Sequence, residues 1–226
     1  MTPNLHGQHS VEPHELPCDT EQGTGNALPP EQRCATIART TKETDISLSL
    51  NLDGTGITDI ETGVGFFNHM LDAFGRHGLI DLMVHAKGDL DVDAHHTVED
   101  VGIVLGQAFA QAMADKRGIT RFASQMVVMD EALVLAAVDI SGRGQLYWDA
   151  DVPLCLLGSF DSSLAKEFFV AFASNAHVSL HVKLLEGENA HHIVEACFKA
   201  VGRAMRYALE LDPRMAGQVP STKGAL

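Results

Sequence analysis

A His-His-x-x-Glu cluster occurs twice in this chain, and the two copies divide it. Asp93 to Asp100 reads DAHHTVED, and Asn189 to Ala196 reads NAHHIVEA. Each opens a long apolar stretch of helical spacing, HHTVEDVGIVLGQAFAQAMADKRG in one case and HHIVEACFKAVGRAMRYALE in the other. Each is preceded by a helix and then a strand: GVGFFNHMLDAFGRHG and LIDLMVHAKG first, SSLAKEFFVAFASNA and SLHVKLLEG second. Phe66-Phe67 and Phe168-Phe169 fall in the matching upstream helices. Two coincident features in one order imply an internal repeat. Neither half has enough elements to cover both faces of its own sheet. The expected fold is therefore α+β, with internally duplicated β-β-β-α-β-α halves packed helix to helix and a sheet on each outer side. The expected division is a disordered extension over 1–34, a first half over 35–120 and a second half over 121–226.

Local signals set further expectations. CATIARTTKETDISLSLNLDG reads as two strands, the second ending in a hairpin-type turn at Asp53-Gly54. Gly78 is placed as a helix C-cap, and Lys116, Arg117 and Gly118 close the next helix. Breaks fall at Asp130-Glu131 and at Ser141 to Gly144. The first 32 residues are rich in Pro, Gly, Gln and Glu, show no periodicity and lack the basic and apolar regions of a signal peptide. No apolar run is long enough for a membrane span. The formal net charge of −14 argues against nucleic acid and anionic membranes as partners, while leaving room for a small anion held by a local basic cluster. Cys18, Cys34, Cys155 and Cys197 show no CxxC spacing, which points to a reduced, cytoplasmic setting.

The chemistry lies in the histidines. On a helix His95 and Glu99 are i,i+4 neighbours and His96 and Glu99 are i,i+3 neighbours. Adjacent histidines diverge by roughly 100°, so the two of one pair do not easily reach one metal. Each cluster then serves two metals. Four histidines and two glutamates fall short of two octahedral ions, and His69 on the first helix and His181 in SLHV are the candidates to complete them. The set His69, His95, His96, His181, His191, His192, Glu99 and Glu195 divides into three histidines and one glutamate per ion. Such ligation suits Mn, Fe, Co, Ni or Zn rather than Ca or Mg. The competing readings are a dinuclear metallohydrolase, a metal-storage or metal-sensing protein, and plain surface histidines. His77, His85 and His177 read as ordinary side chains.

At these residues the sequence resembles the imidazoleglycerol-phosphate dehydratase family. The resemblance runs from about Arg39 to Leu226 through RTTKET, LNLDGTG, FFNHMLD, DAHHTVED, MDEAL, DISGR, LHV, NAHHIVEACFKA and PSTKGAL. It implies a duplicated α+β fold assembled into 24-subunit particles with active sites at subunit interfaces, and two Mn²⁺ per site. It implies a hydro-lyase of histidine biosynthesis that converts imidazole-glycerol phosphate to imidazole-acetol phosphate and water. The metal-ligand roles fall on the eight residues just named. Glu43 in TTKET becomes the acid–base group over the substrate, with Glu99 and Glu195 poorer bases because they ligate. Arg121, Arg143, Lys199, Ser221 and Lys223 become the phosphate-binding set, the last two on a substrate-binding C-terminal tail. Asp130 or Glu131 would either bond substrate hydroxyls or close a hairpin. Two departures stand out: Asn68 replaces the usual acid beside His69, and His177 stands where a small residue is usual.

Overall fold

The structure, a computed structural model, describes residues 33–215 and 217–224. Most of the expected disordered extension lies outside the described residues. Arg33 and Cys34 do not belong to it, because the Arg33 guanidinium bonds the Asp53 carboxylate and the Leu209 carbonyl, and Cys34 starts a strand.

The first half is β1 (Cys34–Thr40), β2 (Thr44–Asn51), β3 (Thr58–Glu61), α1 (Gly65–Gly78), β4 (Asp81–Gly88) and α2 (His95–Ala112). The second is β5 (Phe122–Met129), β6 (Ala132–Asp139), β7 (Gln145–Asp149), a small β8–β9 hairpin (Leu156–Leu157, Phe160–Asp161), α3 (Leu164–Ala176), β10 (Ser179–Glu186) and α4 (Ala190–Leu209). The sheets run β1-β2-β4-β3 and β5-β6-β10-β7, with only the β3–β4 and β7–β10 pairs parallel. Each half repeats β-β-β-α-β-α, and the four helices lie between the two sheets. Burial alternates along β6, with Ala132, Val134, Ala136 and Val138 turned inward, as a sheet covered on one face requires.

The halves interlock through their helices. Helix α1 lies along α4 and α2 along α3. Successive contacts advance together, from Phe66 against His191 to Gly78 against Gly202, and from Gly102 against Phe168 to Gly106 against Phe172. Both pairs are therefore parallel, and Phe67 meets Phe168 edge to face at 5.5 Å near the helix starts. All four helix N-termini share one pole.

Three local expectations change. The hairpin at Asp53-Gly54 does not form, since β2 pairs with β1 and β4 while the chain crosses to the far edge as β3. Gly54 is instead needed for close approach, because a Cβ there would lie 2.4 Å from the Asp81 side chain, whose carboxylate accepts the Thr55 and Ile57 N–H groups. Gly78 ends α1, but the left-handed cap is Leu79 (φ 51°), matched in the second half by His177 (φ 55°). Helix α2 stops at Ala112, before Lys116 to Gly118. The matched caps set α1 and α3 in register at an offset of 98 residues, from 177 − 79. At that offset Phe66-Phe67 correspond to Leu164-Ala165, so the phenylalanine pairs occupy equivalent helices, as expected, but one turn apart.

A duplicated glycine makes the interlock possible. A Cβ on Gly106 would stand 2.6 Å from the Phe172 carbonyl oxygen, and one on Gly202 would stand 2.6 Å from that of Phe74. Gly202→Ala must push two backbones apart, and overpacking of this kind costs about 1–3 kcal/mol. The expected outcome is a lowered thermal unfolding midpoint, larger than that of an alanine substitution at the open position Gly65.

Candidate metal and substrate site

The shared pole collects most of the predicted ligands. His95 and His96 begin α2, Asn189 caps α4 by accepting the His191 and His192 N–H groups on its side-chain oxygen, and His69 sits one turn into α1. The adjacent rings stand apart, with centroids 6.3 Å apart in the first pair and 5.9 Å in the second and ring planes close to perpendicular. A cleft of about 470 Å³ opens where Val64, Ala94, His95 and Leu164 meet.

One set of ligand atoms converges within this chain. His69, His191 and Glu195 place ligand atoms all within 4.8 Å of one another, with Glu195 Oε2 at 3.4 Å from His69 Nε2 and 3.2 Å from His191 Nε2. Glu195 is buried, which raises its pKa, but the Lys199 ammonium at 2.6 Å and the nearby His69 outweigh burial and hold it lowered. It stays a carboxylate. Two imidazoles and one carboxylate suit a borderline divalent cation and leave coordination positions open.

The remaining predicted metal ligands are not brought to that triad. His95 Nε2 is 3.9 Å from Glu99 Oε2, and both groups face outward. His96 turns Nδ1 to Asp89 at 3.0 Å, and His192 turns Nδ1 to Glu131 at 2.6 Å. Each contact uses Nδ1, the usual way a carboxylate orients a metal-binding imidazole, while His192 Nε2 lies 3.6 Å from Asp130 Oδ2. Glu131 also accepts the Glu188 and Asn189 N–H groups, so its part is to hold the second cluster, while Asp130 (φ 49°) makes the β5–β6 turn. Asp89 was not singled out in the sequence, although an acid seven residues before His96 in KGDLDVD was a usable signal. Asn68 bonds the Thr62 N–H and hydroxyl rather than His69, so here it anchors the loop ahead of α1.

His181 lies on the solvent face of β10, its ring stacked on Tyr147 at 4.3 Å. Of the phosphate set only Lys199 is near the triad. Arg121 (φ 75°) bonds Asp139 and the Pro220 carbonyl, and its N–H donates to Ala208 near the end of α4. Ala208 is seventeen residues beyond His191, about 25 Å along the helix. The tail turn bearing Ser221 and Lys223 is tied to this far pole through Pro220. Arg143 is exposed in the turn after β6, at the same end. Glu43 is exposed at the tip of the β1–β2 hairpin, near enough to His96 for its charge to raise that imidazole's pKa.

Both Nδ1-bonded histidines hold protons more tightly than usual. His96 is raised above the ordinary 6.5, first by the Asp89 hydrogen bond, and His192 first by that of Glu131, whose own carboxyl is held down to about 2. A protonated imidazole cannot ligate. Binding of an added divalent cation at these imidazoles should therefore weaken as pH falls, and Asp89→Asn or Glu131→Gln should shift that weakening to lower pH. Equilibrium dialysis with Mn²⁺ at a series of pH values checks it, and an identical pH dependence in the unaltered protein and both variants would contradict it.

The comparisons with known proteins converge. A family model described as imidazoleglycerol-phosphate dehydratase matches residues 62–205. The dehydratases of Dinoroseobacter shibae and Acidiphilium cryptum are each 59% identical over 194 residues, which is 86% of this chain and 100% and 99% of theirs. The crystal structure of the Staphylococcus aureus dehydratase superposes with a TM-score of 0.72 at 38% identity, covering 79% of this chain and 99% of that one. That from Pyrococcus furiosus, in complex with (S)-C348, also gives 0.72, at 39% identity over 84% of this chain and 100% of that one. The chain belongs to the imidazoleglycerol-phosphate dehydratase family, hydro-lyases of histidine biosynthesis that remove water from imidazole-glycerol phosphate.

Proposed function

We propose that dehydration takes place at sites shared between copies of this chain, each holding two manganese ions, within a 24-subunit particle. The observation that carries this reading is the separation of the parts. His69, His191 and Glu195 form an incomplete site, while His95, Glu99 and His181 face outward and Arg121, Ser221 and Lys223 lie about 25 Å along α4 from His191. One substrate cannot touch all of them in one chain, whereas a neighbouring copy can supply what is missing. The outer face of the second sheet supports association, since Phe122, Met126, Val128 and Tyr147 are at least half exposed. Among the described residues no helix is long and apolar enough to cross a membrane, and Cys155 and Cys197 are outside any disulfide. Both fit a cytoplasmic enzyme.

When bound, the ions supply Lewis acidity and a template for an imidazole ring whose two nitrogens suit two like ions. The chain's own groups do the rest. Lys199 keeps Glu195 ionised, Asp89 and Glu131 fix the tautomers of His96 and His192, and Lys223, Ser221, Arg121 and Arg143 hold the phosphate by charge-assisted bonds. Glu43 takes the carbon-bound proton on its carboxylate. Glu43→Gln should lower kcat by about 10² or more with metal content unchanged. Near-normal turnover would move the acid–base role elsewhere.

Complementation tests the shared site. His191→Ala and His95→Ala subunits, each inactive alone, are mixed, stripped of metal and reassembled with Mn²⁺. Random mixing should restore activity at roughly a quarter of the sites. A mixture as inactive as its components would place all ligands of one site in one chain.

A further inference from the structure

We propose that Asp100 is a positioning residue for the acid–base step, locking the hairpin tip that carries Glu43 against helix α2 through Thr44 and Arg39. The inference rests on Glu43 being the acid–base group and adds what holds it in place.

Asp100 follows Glu99 on α2, one turn past His96, and its side chain is buried. A buried carboxylate needs partners. Asp100 has two, both from the β1–β2 hairpin. The Thr44 hydroxyl donates to Oδ2, and Arg39 Nη1 stands 2.6 Å from the same oxygen as an ion pair, without the alignment of a hydrogen bond. Thr44 is the residue after Glu43. The Glu43 and Thr44 N–H groups both donate to the Thr41 hydroxyl, and the Glu43 carbonyl accepts the Asp89 N–H. Asp89 in turn holds His96. The main chain of Glu43 is thus fixed on both sides while its carboxylate stays exposed.

The second half supplies the contrast. Glu131 directly precedes β6 as Glu43 directly precedes β2, yet its carboxylate is itself tied down by His192 and two backbone N–H groups. There the residue matching Asp100 is Ala196, buried and without polar atoms in its side chain. The polar anchor stands only in the half whose tip carboxylate is left free. A residue serving helix packing alone would not follow that division.

The test is a double-mutant cycle on the manganese-loaded, assembled protein. Asp100→Asn and Thr44→Val are each made with and without Glu43→Gln. Thr44→Val removes one hydroxyl and carries the test if Asp100→Asn does not fold. Each single substitution should lower kcat about tenfold or more, with KM within about twofold and metal per chain unchanged. In the Glu43→Gln background neither should lower kcat further, because the group they position is already gone. Equal losses in both backgrounds, or loss of metal in step with kcat, would overturn the proposal. Normal turnover in Asp100→Asn and Thr44→Val beside a crippled Glu43→Gln would remove this inference alone, whereas normal turnover in Glu43→Gln would remove the acid–base reading with it.

Discussion

The backbone contact made by Gly106 and Gly202 is the constraint on which the rest of this structure depends. Each glycine faces a carbonyl of a helix from the other half, Phe172 in one case and Phe74 in the other. The contact recurs because the sequence recurs, with both glycines eleven residues beyond the first histidine of their cluster. Close approach sets the height of α2 on α3 and of α4 on α1. That height decides which side chains meet at the helix starts, and His69 meets His191 and Glu195 because of it. Side chains larger than hydrogen at either glycine would separate helices whose ligand geometry is set a few turns away.

The same arrangement separates the predicted ligands from the predicted phosphate-binding residues. Parallel helices bring the histidine clusters to one end and leave the C-terminus of α4 at the other, with Arg121, Asp139 and Pro220 joined there. The halves cannot fold back on themselves to close the distance, since each helix layer is already covered by a sheet. The two ends of α4 therefore stay apart within one chain.

Much of this was legible in the sequence, and the remainder had physical reasons to be hidden. The duplicated HHxxE gave the repeat, the helix starts and the divergence of adjacent rings, because 3.6-residue periodicity is local. The turn at Asp53-Gly54 misled because Asp-Gly marks a hairpin only when the next strand returns to its neighbour, and here β3 pairs across β4. The cap at His177 was invisible because a non-glycine residue in the left-handed region leaves no local signature. Glu131 as a clamp on His192 depends on a contact between segments 61 residues apart, which no spacing rule records, whereas Asp89 lay close enough in sequence to His96 to be considered. The resemblance, not the spacing, named Glu43 and the phosphate-binding set.

One consequence follows from the four helices pointing the same way. In bundles of alternating direction the helix dipoles largely cancel, but here the amino ends of α1, α2, α3 and α4 face one pole. Each contributes roughly half a positive charge there. That field belongs to the main chain, does not titrate and cannot be mutated away one residue at a time. It acts as a permanent counter-ion for Asp89, Asp93, Glu131, Asp161 and Glu195, which a chain of net charge −14 gathers at that same end. The acids that hold imidazoles in place are thereby kept together in part by the backbone itself.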